Sequence, residues 1–150
     1  SGPGLSPLGA QERPVNPGEA VIFHVSVSNP LDTAMAMVLE VSGPNAAWAT
    51  LPSVKVDVPA HDTARASVVV RAPVGSVPGE RADLVLQAYS RDDPATRGLL
   101  RFVTVVDTDT DYPDDTAAAA ELTQKDSPSP GTALLVGLIG LLAVALRRRR

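Results

Sequence analysis

The fold class is indicated most clearly by residues 21–28, which read VIFHVSVS. Large apolar residues stand at every second position from Val21 to Val27, and Ile22, His24, Ser26 and Ser28 occupy the intervening positions. Side chains of a β-strand point alternately to its two faces. This period of two therefore predicts a strand with one buried face.

The same alternation recurs along residues 10–106, where Pro- and Gly-rich turns separate the apolar sets. The further sets are Met35, Met37, Leu39 and Val41; Val54, Val56 and Val58; Ala64, Ala66, Val68 and Val70; Ala82, Leu84, Leu86 and Ala88; and Leu100, Phe102 and Val106. We also expect a short first strand within residues 10–15. The pattern predicts an all-β domain, an antiparallel β-sandwich of about seven strands.

Three features complete this prediction for the N-terminal two thirds of the chain. Residues 1–9 (SGPGLSPLG) have the composition of a linker. Trp48 is the largest apolar side chain available to close one end of the core. The charged alternation of Lys55 and Asp57 favours an edge strand, and residues 91–98 are predicted to form a polar loop.

The order of the turn motifs resembles a known group. It consists of Pro17-Gly18-Glu19 before a strand that ends at Asn29, Pro59-Ala60-His61-Asp62 before a Val-rich strand, and Pro73 followed by Pro78-Gly79-Glu80. It is similar to the Ig-like modules appended to bacterial α-galactosidases and to archaeal surface proteins, and to related bacterial cell-adhesion modules. The resemblance implies an Ig-like sandwich over residues 10–106, a cell-surface setting and no catalytic residue.

Residues 107–130 form an acidic Ser/Thr/Pro-rich segment, with seven acidic residues and one lysine before residue 127. Asp107, Asp109 and Asp111 have a spacing that can surround Ca²⁺. However, Tyr112 and Ala118 stand where a calcium loop has Gly and Glu. The segment is therefore predicted to be a disordered, self-repelling linker, and residues 117–124 are too few to hold a helix alone.

The C-terminal segment, residues 131–150, contains the apolar run ALLVGLIGLLAVAL at 133–146 and ends in Arg147, Arg148, Arg149 and Arg150. A helix of that run would rise only about 21 Å, against about 30 Å of hydrocarbon. Length alone would suit a buried core helix. Because the run is apolar on every face and ends in an arginine cluster, we expect a membrane-anchoring helix with the arginines cytoplasmic and the β-domain outside.

The same tail resembles prokaryotic C-terminal sorting signals of the PGF or PEP type. The resemblance lies in Ser129-Pro130-Gly131, the apolar run and the terminal arginines; Thr132 stands where PGF has Phe. It implies that Pro130, Gly131, Thr132 and the arginine cluster are sorting residues for an archaeosortase or exosortase. A permanent membrane anchor is the alternative.

Known catalytic chemistry is not indicated. The chain has no cysteine, which excludes disulfides and thiolate catalysis. His24 on a polar strand face and His61 in a turn lack partners at metal-binding spacing. The Asp92-Asp93 pair lies in a polar loop, and the arginines are scattered among acids, which argues against nucleic-acid binding. We therefore predict a non-enzyme without a cofactor.

The functional hypothesis is a non-catalytic cell-surface spacer or stalk that tethers a larger envelope protein through its tail. A carbohydrate- or protein-binding adhesion module is one alternative, for which Tyr89 is the candidate surface aromatic. An accessory domain of a surface hydrolase is another. The expected partners are membrane lipid, a sortase-like enzyme, and surface glycans or proteins.

Overall fold

The computed structural model describes residues 2–109 and 111–126. Its β-strands are β1 (Gly4–Pro7), β2 (Glu12–Val15), β3 (Ala20–Ser28), β4 (Met35–Ser42), β5 (Ala49–Thr50), β6 (Lys55–Val58), β7 (Thr63–Arg71), β8 (Arg81–Ser90) and β9 (Asp93–Val106). One turn of 3₁₀ helix, Ala46–Trp48, precedes β5, and helix α1 spans Thr116–Asp126.

The strands form two sheets, one of four strands in the order β1-β3-β7-β5 and one of five in the order β2-β9-β8-β4-β6. β2 and β9 run parallel, whereas the other neighbours pair antiparallel. The order matches the two sheets of an immunoglobulin-type sandwich. The predicted fold class, an all-β Ig-like sandwich, is confirmed.

The core lies between the two sheets and contains the predicted alternating residues except Val54, which is 51% exposed. Val21, Val25 and Val27 are fully buried, and Phe23 of β3 packs against Phe102 of β9 with ring centroids 4.7 Å apart. This aromatic pair joins the two sheets directly. Trp48 is half-buried against the core, as expected of a residue that closes it, and β6 is an edge strand as predicted.

The structure corrects the prediction of a linker at residues 1–9. Gly4–Pro7 forms β1, which pairs with residues 25–28 of β3. The Gly/Pro composition suggested a linker, but prolines are tolerated on an edge strand. Gly98 leaves room for this segment, because a Cβ there would collide with the carbonyl oxygen of Pro3.

The predicted polar loop at residues 91–98 is also corrected. β9 begins at Asp93, and only a tight turn at residues 91–92 separates it from β8. The ladder is irregular between Tyr89 and Ser90, as at a β-bulge. Hairpin pairing with β8 at Asp93, Arg97 and Gly98 holds this exposed polar segment in a strand, which its composition alone did not indicate.

The segment after β9 differs from the predicted disordered linker. Asp107, Asp109 and Asp115 hydrogen-bond to the sandwich. Helix α1 also extends beyond the eight residues considered too few for a helix. The chain divides into two compact units after Ala120. Of the second unit, only residues 121–126 are described. The hydrophobic helix predicted at residues 131–150 lies outside the described residues.

Asn29, the last residue of one turn motif, is buried and connects two loops at one end of the sandwich. Its Nδ2 donates to the carbonyl oxygens of Thr33 (2.8 Å), Val58 (3.0 Å) and Pro59 (3.1 Å). Its Oδ1 accepts from the N–H of Leu31 (2.9 Å). The side chain therefore holds the loop after β3 against the end of β6.

Replacing Asn29→Asp should destabilise the protein, because a carboxylate has no N–H and would face carbonyl oxygens. We expect the free energy of unfolding, measured in urea, to fall by about 2–4 kcal/mol. Asn45→Asp is the matched control: this exposed amide makes one hydrogen bond, to the carbonyl oxygen of Arg81, and should lose less than about 1 kcal/mol. Equal losses would contradict the role of Asn29.

Thr104 on β9 points into the core and is fully buried, and its hydroxyl has no hydrogen-bond partner among the described residues. A buried hydroxyl without a partner costs free energy. Thr104→Val should therefore raise the free energy of unfolding by about 1 kcal/mol. The same change at the exposed Thr63 should leave it nearly unchanged, and a loss of stability in T104V would refute this account.

Candidate functional surface

Polar side chains of three neighbouring strands meet on the outer face of the five-stranded sheet. Tyr89 of β8 lies opposite Arg97 of β9, and Gln87 of β8 lies opposite Glu40 of β4. Because Leu86 and Ala88 point into the core, Gln87 and Tyr89 must point outward. We call Glu40, Gln87, Tyr89 and Arg97 the tyrosine cluster.

The members of the tyrosine cluster bind one another. The Tyr89 hydroxyl donates to Glu40 Oε2 at 2.9 Å, and the Arg97 guanidinium carbon lies 4.1 Å from the centre of the Tyr89 ring. Arg97 Nη1 donates to Glu40 Oε1 at 3.0 Å and to Gln87 Oε1 at 3.2 Å. One arginine therefore combines a cation–π contact with an ion pair.

These contacts change the proton affinity of both acidic groups. The Tyr89 hydroxyl, and then Arg97, hold the pKa of Glu40 below its ordinary value. The Glu40 carboxylate in turn raises the pKa of Tyr89. The contacts of Glu40 therefore stabilise the folded protein at pH values above the ordinary pKa of Glu. This stabilisation is lost as the pH falls through the lowered pKa of Glu40. On the alkaline side it is lost as the pH rises through the raised pKa of Tyr89.

The contacts of Tyr89 argue against the suggestion that its ring is an aromatic platform for sugars. Arg97 covers one face of its ring, its hydroxyl is engaged, and the side chain is half-buried. A sugar that stacked on that covered face would have to displace Arg97. The arrangement is that of a self-paired surface network, which stabilises the outer face of the sheet.

The two histidines are on the surface and do not meet. His24 Nδ1 lies 3.1 Å from the Ser67 hydroxyl, and His61 Nε2 lies 2.6 Å from Asp32 Oδ1. His61 has a left-handed backbone, with φ of 56°, which suits its place in a turn. Within residues 2–109 and 111–126, no group of three or more His, Asp or Glu is arranged to hold a metal ion.

Asp92 and Asp93 are exposed, as expected of a solvated pair. They line a cavity of about 150 Å³ together with Leu31 and Met35, near the N-terminal Gly2 and Pro3. The cavity lies between the loop after β3 and the turn between β8 and β9.

Two of the acidic residues at 107–115 accept hydrogen bonds from neighbouring groups of the same segment. Asp107 Oδ1 accepts from the N–H of Thr108 at 2.8 Å, and Asp109 Oδ1 accepts from the N–H of Asp111 at 2.9 Å. The Tyr112 hydroxyl donates to Asp107 Oδ2 at 2.8 Å, which lowers the pKa of Asp107. These carboxylates act as turn-forming acceptors.

The sorting residues suggested by the sequence, Pro130, Gly131, Thr132 and the arginines at 147–150, lie outside the described residues. Within the described part of the chain, no helix combines the length and the apolar character needed to cross a bilayer.

Comparison with known proteins supports the fold and does not extend to a family. No protein-family model matches the sequence, and no curated protein matches it.

Several solved structures are similar in fold. A FixG-related protein from Vibrio parahaemolyticus has a TM-score of 0.50 and 14% identity, and the match covers 68% of this chain and 95% of that one. A family 123 glycoside hydrolase from Clostridium perfringens has a TM-score of 0.53 and 9% identity, over 65% of this chain and 23% of that one. A putative carbohydrate binding protein from Bacteroides ovatus has a TM-score of 0.50 and 9% identity, over 67% and 36%.

At such low identity these likenesses establish an Ig-like β-sandwich and no shared activity. The chain spans only about a quarter of the hydrolase and about a third of the putative carbohydrate binding protein. They are compatible with a non-catalytic accessory module.

Replacing Glu40→Gln should lower the pKa of Tyr89 towards its ordinary value of about 10, because the amide keeps an acceptor but removes the negative charge. The phenol pKa can be followed by ultraviolet absorbance or by NMR of the ring. Tyr112 is an internal control, since its raised pKa depends on Asp107 and should not move. An unchanged Tyr89 pKa would show that Glu40 does not cause the shift.

Proposed function

We propose that this protein is a non-catalytic cell-surface spacer that tethers a larger envelope protein to the membrane through its C-terminal tail. The supporting observation is that the first strand begins and the last strand ends at opposite ends of the sandwich. Gly4 of β1 lies opposite Ser28, the last residue of β3. Val106, the last residue of β9, lies opposite Val15, just before the turn that leads into β3.

The length of β3 sets the distance between these ends. Its nine residues, Ala20–Ser28, span about 25–30 Å at roughly 3.3 Å per residue. A sandwich whose first strand begins at one end and whose last strand ends at the other can add this length to a series of domains. A module with adjacent termini would add little. The topology therefore suits a spacer.

The tail supplies the second argument. Its nine Leu, Ile and Val residues between positions 133 and 146 favour membrane insertion by roughly 3–5 kcal/mol. The four terminal arginines favour a cytoplasmic C-terminus, with the β-domain outside. Processing at Pro130, Gly131 and Thr132 by a sortase-like enzyme is the alternative fate of the same tail.

An accessory domain of a surface hydrolase is the second candidate. It is favoured by the likeness to the Clostridium perfringens hydrolase, of which the match covers 23%. The self-paired tyrosine cluster supports a structural role in either setting, because its polar groups already have partners.

The tethering proposal predicts that charge in the apolar tail abolishes membrane attachment. Leu138→Asp combined with Leu142→Asp should move the full-length protein from the membrane to the soluble fraction, because each aspartate costs about 3 kcal/mol at the centre of a span. The control is Leu99→Asp, the same change at a surface residue that is 61% exposed, which should stay with the membrane. Equal distribution of both variants would refute tethering by the tail.

Intact mass of the membrane-bound protein distinguishes the two fates of the tail. A permanent anchor keeps the full mass. Sorting predicts loss of the residues after the Pro130-Gly131 site, with or without the mass of an added lipid.

A further inference from the structure

The four-stranded sheet has an incomplete edge beside β3. β1 pairs only with residues 25–28, and the Leu8 N–H donates to the His24 carbonyl oxygen at 2.9 Å. The chain then crosses to the other sheet, where it forms β2. Backbone groups of Ala20 and Ile22 therefore face an edge at which no described strand continues. Such groups need other partners.

Two distant residues supply these partners. Arg13 Nη1 donates to the Ile22 carbonyl oxygen at 2.9 Å, and Asp115 Oδ2 accepts from the Ile22 N–H at 2.9 Å. The Asp115 N–H donates to the Ala20 carbonyl oxygen at 2.8 Å. Arg13 and Asp115 also form an ion pair at 3.1 Å. Together they provide the donors and acceptors that a neighbouring strand would provide.

Further hydrogen bonds attach the segment that carries Asp115. The Asp107 N–H donates to the Val15 carbonyl oxygen at 3.0 Å. Asn16 and Asp109 are joined twice: the Asp109 N–H donates to Asn16 Oδ1, and Asn16 Nδ2 donates to the Asp109 carbonyl oxygen, both at 2.9 Å. The chain is thus held along its path from β9 to α1.

Apolar burial coincides with this attachment. Ile22 and Val69 lie opposite each other on β3 and β7, on the outer face of the sheet, yet each is only 6% exposed. Ala119, one helical turn after Asp115, is 4% exposed. Residues 107–109 and 111–120 therefore belong to the folded module, and we call this segment the strap.

We propose that the strap is a releasable substitute for the missing part of the first strand, and that a pull on the tail detaches it from β3 before the sandwich unfolds. The strap's bonds to the sandwich lie one after another along its path, so a load from its C-terminal side breaks them in turn. β9, in contrast, is paired along its length with β8 and also with β2. Detachment would give the tether extra length while the core stays folded.

The attachment of the strap to β3 can be tested by hydrogen exchange on the full chain. In Asp115→Ala the Ile22 amide should exchange at least about tenfold faster, because its acceptor is removed. Amides of Leu84 and Phe102 should stay protected, which separates local opening from unfolding. Arg13→Gln should act in the same direction.

Asp111→Ala is the matched control, since it removes the same charge from the same segment and no described contact joins the Asp111 side chain to the sandwich. Its Ile22 amide should exchange as in the unchanged protein. Equal exchange rates of the Ile22 amide in D115A and D111A would contradict the attachment of the strap through Asp115.

Release under load can be tested by pulling single full-length molecules from both ends. We expect a first short step of no more than about 50 Å, the reach of the strap at roughly 3.6 Å per residue, followed by unfolding of the sandwich. D115A should lose the first step and D111A should keep it. A single unfolding step in the unchanged protein would overturn the release. Release rests on the proposed tethering function, which membrane fractionation tests independently.

Discussion

The division of the first strand between two sheets is the constraint on which the rest of the molecule depends. β1 serves the four-stranded sheet and β2 serves the five-stranded sheet, so each sheet receives only part of an edge strand. This arrangement closes the sandwich at Val15, which is fully buried, but it leaves backbone groups of β3 without a strand. Arg13, which comes with β2, and Asp115 complete that edge.

The two polar arrangements of the protein have different consequences. The tyrosine cluster joins three adjacent strands of one sheet, and its groups are satisfied within the sheet surface. The contacts of Arg13 and Asp115 join positions 102 residues apart and connect the sandwich to the chain that follows it. Both rest on one arginine and one carboxylate, but only the second makes the C-terminal segment part of the module.

The strand interiors were predictable, and several of the functional contacts were not. Phe23 and Phe102 were assigned to the core because each lies in an alternating apolar set, and both are buried. Tyr89 was placed on the outer face by the same alternation. Its partner Arg97 was missed, because residues 91–98 were assigned to a loop on their polar composition; the extended pairing of β8 and β9 was the missing information. Asp115 was missed because an acidic run normally repels itself and stays solvated.

The sequence by itself determined the inward-facing residues of most strands and that the domain is an all-β sandwich, because the period of two is a local property of the chain. Only the tertiary structure decided where the first strand changes sheets, that residues 4–7 and 93–98 are strands, and that residues 107–109 and 111–120 belong to the module. These outcomes depend on which backbone hydrogen bonds remain open after the sheets have formed, and groups far apart in the chain satisfy them.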